Sequence, residues 1–181
     1  DAWIQEAKRR GLSNLVSTAD ALPAYTAEKN VKLFVDHGIY TREEINARAE
    51  IHIENYVAVI SIEARTMVDM IRHDILPAVS AFSSTLCQRA AGKEKAGVPC
   101  RYETITAREI GEITDELLSA CSELEGDMAM LPADATEAMN YCHDVILADM
   151  AKARSAADQL ETMTAADCWP FPVYSDLLFS V

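Results

Sequence analysis

Residues 41–77, TREEINARAEIHIENYVAVISIEARTMVDMIRHDILP, decide the fold. The opening Thr41-Arg-Glu-Glu44 has the spacing of a capping box, in which a threonine hydroxyl and a glutamate carboxylate satisfy each other's free backbone donors, so a long helix should start there. Ile45, Ala49, Ile53, Tyr56, Ile60, Ala64, Met67, Ile71 and Ile75 then recur every three or four residues, one apolar stripe on a 3.6-residue period. A strand is the competing reading. Ile51-His-Ile53 and Val57-Ala-Val59 alternate as a half-buried strand would, but Asn55-Tyr56 breaks the alternation while the helical stripe runs on through both flanks. Ile51, Val57, Val59 and Ile62 widen the apolar surface beyond the stripe, which predicts a helix touched from more than one side. Pro77 lacks a backbone donor and crowds the preceding turn, so the helix should kink or restart near Ile75-Leu76.

Working outward, the apolar and small residues from Ala78 to Ala91 let the helix resume, giving one long kinked element over 41–91. Two glycines, Pro99 and three charges mark 92–103 as a loop. Thr106-Ala-Arg-Glu109 reads as a second capping box ahead of Ile110, Ile113, Leu117, Cys121, Leu124 and Met128, a helix within 104–131. Asp134-Ala-Thr-Glu137 opens another over 134–163, with Met139, Cys142, Ile146, Met150, Ala153, Ala157 and Leu160 inward. Upstream, 1–40 holds short helices: Asp1 to Arg10 closed by Gly11, and Thr26 to Asp36 closed before Gly38, with Asn14 to Tyr25 irregular or briefly helical. The fold class expected is all-α, an antiparallel bundle of three or more long helices in a single domain over 1–181.

The segment 168–181 departs from this pattern. In Trp169-Pro170-Phe171-Pro172, each proline fixes φ and pushes its predecessor toward extended geometry, so the chain enters as a stiff strap. Trp169, Phe171, Tyr174, Leu177, Leu178 and Phe179 would together form an apolar patch of a kind monomers seldom leave in water. Trp169, Phe171, Tyr174, Leu177 and Phe179 are therefore taken as structural or interaction anchors, docked on their own domain or on a partner.

Charge and chemistry narrow the function. With 16 basic against 29 acidic residues and net charge −13, the chain opposes the electrostatic attraction that dominates nucleic-acid binding and is repelled by anionic lipid surfaces. No nucleic-acid or membrane partner is expected. No apolar run reaches the ~20 residues of a membrane span. Cys87, Cys100, Cys121, Cys142 and Cys168 form an odd, scattered set without a CxxC pair, read as reduced core thiols of a cytosolic protein. A start at Asp1 instead of Met suggests a piece of something longer.

The motifs of catalysis are missing. Gly92-Lys93 lacks the earlier glycine and the following Ser or Thr of a phosphate loop, and there is no GxGxxG or HExxH. None of His37, His52, His73 and His143 has a Glu three residues before it, as a bundle di-iron site requires. Cys142 and His143 are adjacent in sequence and so diverge on a helix. Asp69 and His73, one turn apart, could orient an imidazole but read as an ordinary surface pair. Glu63, beside Ile62 and Ala64, reads as a boundary carboxylate, with Arg48 or Arg65 as possible partners. The seven methionines read as core filling.

Several segments taken together resemble a known family. Glu6 to Leu15, Thr18-Ala-Asp-Ala-Leu-Pro23, Glu28-Lys-Asn30, Ile62-Glu-Ala-Arg-Thr-Met67, Asp74-Ile-Leu-Pro-Ala78 and Trp169-Pro-Phe-Pro-Val-Tyr-Ser-Asp-Leu-Leu-Phe179 are similar, in order, to the C-terminal region of type III glutamine synthetases. That resemblance implies a large cytoplasmic homo-oligomer making glutamine from glutamate, ammonia and ATP with Mg or Mn. Its partners would be an upstream catalytic domain and like subunits. The family's ATP, glutamate and metal ligands lie in a β-rich portion that no segment here matches, so the chain is expected to hold no catalytic, cofactor or metal residue. The alternative is a stand-alone helical module that binds a protein or small ligand.

Overall fold

The computed structural model describes residues 2–172 and 174–179; the side chains of Tyr174, Ser175 and Phe179, and all of Asp1, Val173, Ser180 and Val181, lie outside the described residues. Among these residues the chain is helical and contains no strand. The elements are α1 (Ala2–Arg9), α2 (Thr18–Tyr25), α3 (Glu28–Asp36), α4 (Arg42–Met70), α5 (Leu76–Lys95), α6 (Arg101–Met128), α7 (Ala135–Tyr141), α8 (Leu147–Met163) and α9 (Tyr174–Phe179). Two π-helical turns, Ile71–Ile75 and Cys142–Ile146, join α4 to α5 and α7 to α8. Contacts divide the chain into two compact units, residues 1–60 with 131–143 and residues 61–130 with 144–181.

In the first unit the capping box forms as read. The Thr41 amide donates to Glu44 Oε2 at 2.8 Å and the Glu44 amide donates to Thr41 Oγ1 at 3.2 Å. These bonds hold the Glu44 carboxyl below its ordinary value of 4.5, the Thr41 backbone donor contributing most. A lowered carboxyl stabilises the fold above its unfolded value, and that contribution is lost as pH falls through the folded value. Thr41→Ala is expected to cost about 1 kcal/mol, and Glu44→Gln to flatten this acid-side loss; thermal melts across pH 3–6 check both.

Ile45, Ala49 and Ile60 on α4 are buried, as are Val31 of α3, Ala19 of α2, and Ala138 and Met139 of α7. α2 is longer and more regular than the sequence suggested. Ser17 caps it by accepting from the Asp20 amide at 3.0 Å, and Pro23 lies inside it near the C-terminal end, where its missing N–H leaves the Ala19 carbonyl without the usual intrahelical donor. After α3, Gly38 takes φ 63° and the Ile39 amide reaches back to the Phe34 carbonyl at 2.9 Å, the left-handed closure that favours glycine.

The second unit has α6 packed against both α5 and α8. Its core gathers Ile71, Val79, Phe82 and Leu86, Ile110, Leu117 and Cys121, and Ala153, Ala157 and Leu160. Pro77 produces the expected interruption as a π turn, in which the Leu76 amide bonds the Ile71 carbonyl five residues back, and α5 then begins with proline in its first turn.

Two boundaries differ from expectation. α5 continues to Lys95 and α6 already begins at Arg101, so the connection is 96–100 and not 92–103; Gly97 turns it, at φ 69°, with the Val98 amide bonded to the Lys93 carbonyl. Gly92 is simply helical, and Thr106–Glu109 lies inside α6 and caps nothing. Ser and Thr at a box spacing can equally occupy a helix interior when packing extends the helix past them. The wider apolar surface of α4 is not covered by the described residues: Ile51, Val59 and Ile62 are exposed, and Val57 is half-buried.

Candidate functional site

The strap follows α8 directly. Thr164 ends that helix, its hydroxyl donating to the Leu160 carbonyl at 2.7 Å, and the Cys168 and Trp169 amides close a turn on the Ala165 carbonyl. Pro170 and Pro172 follow, and the chain bends at Pro170 and Phe171. The Trp169 and Phe171 rings meet edge to face, centroids 6.4 Å apart, and both pack half-buried on the core of the second unit. Leu177 and Leu178, on the short α9, point outward at 65% and 57% exposure. The anchors proposed from sequence thus separate: Trp169 and Phe171 lie on this unit, Leu177 faces solvent, and the side chains of Tyr174 and Phe179 lie outside the described residues.

Beside the strap lies an open groove of about 500 Å³ between the end of α4 and α8. Ile62, Met67, Met70, Met150, Trp169 and Phe171 supply apolar lining, and Glu63, Glu161 and the Arg154–Asp158 pair supply charged lining. Glu63 is exposed; neither Arg48 nor Arg65 forms a recorded salt bridge with it among the described residues.

Elsewhere the polar groups pair for structural reasons. The Arg72 guanidinium grips both oxygens of Glu125 and holds that carboxyl below its usual range. Lys93 bonds Glu103 across the α5–α6 turn and lowers it likewise. Lys152 donates to Asp149 at 2.7 Å. Glu103 and Asp149 are buried carboxylates that the sequence reading passed over, and the second oxygen of each has no hydrogen-bond partner among the described residues. Asp149 could have been found. It stands three residues after Ile146 and four before Ala153, on the inward face. Asp69 and His73 sit 3.5 Å apart and are both exposed, an ordinary surface pair.

The cysteines are not all core thiols. Cys121 and Cys142 are buried, Cys100 is intermediate, and Cys87 and Cys168 are exposed. Burial pushes the Cys121 and Cys142 thiols up. A thiol reagent at mildly alkaline pH should therefore modify Cys87 and Cys168 in the folded chain and reach Cys121 and Cys142 only on unfolding. Mass mapping of the labelled chain decides this, and rapid native labelling of Cys121 would contradict the packing of α6.

Among the described residues no three or more His, Cys, Asp or Glu side chains are placed to hold a metal ion, and no helix is long and apolar enough to cross a membrane. Fold and side chains together define an all-α domain whose charged clusters brace helices. The glutamine synthetase C-terminal domain model matches residues 1–94, and the chain belongs to that family. It is 34% identical over 185 aligned positions to a glutamine synthetase of Butyrivibrio fibrisolvens, covering all of this chain and 26% of that protein. It is 30% identical over 190 positions to the type-3 glutamine synthetase of Dictyostelium discoideum, covering 98% of this chain and 25% of that one. A glutamine synthetase of Bacteroides fragilis (strain YCH46) is 26% identical over 188 positions. The chain thus spans about a quarter of the length of the curated relatives it matches.

Proposed function

We propose that this chain is the noncatalytic C-terminal helical domain of a type III glutamine synthetase, with a structural role in domain or subunit packing. The observation that carries this reading is coverage: relatives named glutamine synthetase align with essentially the whole of this chain over only a quarter of their own length. The parent enzyme would make glutamine from glutamate, ammonia and ATP with a divalent metal, as a cytoplasmic homo-oligomer. Among the described residues no three His, Cys, Asp or Glu side chains gather, and the sequence has no phosphate-loop motif, so no metal or nucleotide ligand is assigned to this chain. No step of the reaction is assigned to it.

Two measurements test the reading. The 181-residue chain, mixed with glutamate, ammonia, ATP and Mg, should form no glutamine above the protein-free rate, and ATP-dependent turnover by the chain would overturn it. In the Butyrivibrio fibrisolvens relative, deleting the aligned segment should reduce the assembled mass measured by light scattering. Unchanged assembly together with unchanged activity removes the structural role.

A further inference from the structure

The groove beside the strap shares Met67, Trp169 and Phe171 with the edge of the core, while Glu63, Glu161, Met70 and Met150 on its lining lie outside that core cluster. Its lining includes carboxylates from different helices, Glu63 on α4 and Glu161 on α8, and among the described residues neither has a cationic partner. Among the described residues that line it the one cation, Arg154, is already bound to Asp158 at 2.7 Å. Met67, Met70 and Met150 on the same lining offer flexible, polarizable surface that adapts to a guest. The Trp169 and Phe171 rings also line it and stand together edge to face, and aromatic faces attract a cation that is partly desolvated. A volume of about 500 Å³ falls within the small-molecule range. The chain's net charge of −13 adds a long-range bias in the same direction.

We propose that this groove binds a free amphiphilic cation, a small molecule with a hydrocarbon or aromatic body and one ammonium or guanidinium head. The body lies on the methionines and the strap, and the head pairs with the carboxylates Glu63 and Glu161. An anion of the same shape meets two uncompensated carboxylates and is rejected. The proposal stands on side chains of this unit and does not rest on the role assigned to the parent enzyme.

The test uses the 181-residue chain carrying Trp3→Phe, so that Trp169 is the sole indole, since the sequence has two tryptophans. n-Octylammonium, n-octanoate and n-octanol are titrated separately below their aggregation limits while Trp169 emission is followed. Octylammonium should give a saturable change, weakened by salt, with octanoate at least ~10-fold weaker. The double variant Glu63→Gln, Glu161→Gln should lose ~10-fold or more in octylammonium affinity while its octanol response and melting temperature stay the same. Equal affinities for the three amphiphiles, no saturable change, or full affinity in the double variant would each overturn the proposal. So would binding of a basic amphipathic peptide by a chain that ignores octylammonium, because the occupant would then be a protein segment.

Discussion

Leu117→Ala should lower the unfolding free energy of the chain by about 3–5 kcal/mol, the upper range for a buried leucine. Leu117 has no exposed surface and sits midway along α6, the helix that packs against both α5 and α8, among Phe82, Cys121, Ala153 and Ala157. A helix packed against both α5 and α8 has little freedom to move in and fill the void, so both the lost transfer energy and the cavity are felt. Domains are stable by only about 5–15 kcal/mol, so the variant should be close to unfolding at physiological temperature. Leu118, the next residue, is 42% exposed, and Leu118→Ala should cost less than about 1 kcal/mol. Urea unfolding of the two variants side by side checks the facing of α6; equal losses would mean the helix is turned away from this core.

Trp169→Ala should cost about 2–3 kcal/mol, less than the 3–5 of a fully enclosed aromatic because the indole is half-buried. The loss comes from its contact with the core and from the edge-to-face partner Phe171. Trp169→Phe should recover most of it. If unfolding of the isolated chain is unchanged by Trp169→Ala, the strap gains nothing from this unit and its anchoring belongs to another surface.

The sequence makes the long helices plain because their apolar spacing carries the signal. Ile45, Ala49, Ile60, Ala64, Ile71 and Ile75 were placed on one stripe, and each is buried. Local chemistry was readable where one side chain does the work, as with Thr41 and Glu44 or Asp134, whose carboxylate accepts from the Thr136 and Glu137 amides. It misled where composition competes with packing. Gly92 and the charges after it suggest a loop, yet the helix persists to Lys95, tied through Lys93 to Glu103 on the facing helix. The exposed Ile62 could not be read as open surface, because hydrophobicity says nothing about what covers it. The groove was equally invisible. Its walls come from residues about a hundred positions apart, and only the fold brings Met67, Met150 and Trp169 to one place.

The π turn at Ile71–Ile75 makes this helix unevenly sensitive to length. Its five-residue bond holds one residue more than an α turn, so removing a single residue there would restore α geometry and leave the downstream face nearly where it was. Removing one from the α segments on either side would instead rotate everything downstream by about 100°, and Val79, Phe82 and Leu86, all buried in the core, would swing away from their neighbours together. Relatives of this domain should therefore tolerate a one-residue gap at 71–75 and keep the residue count on either side of it.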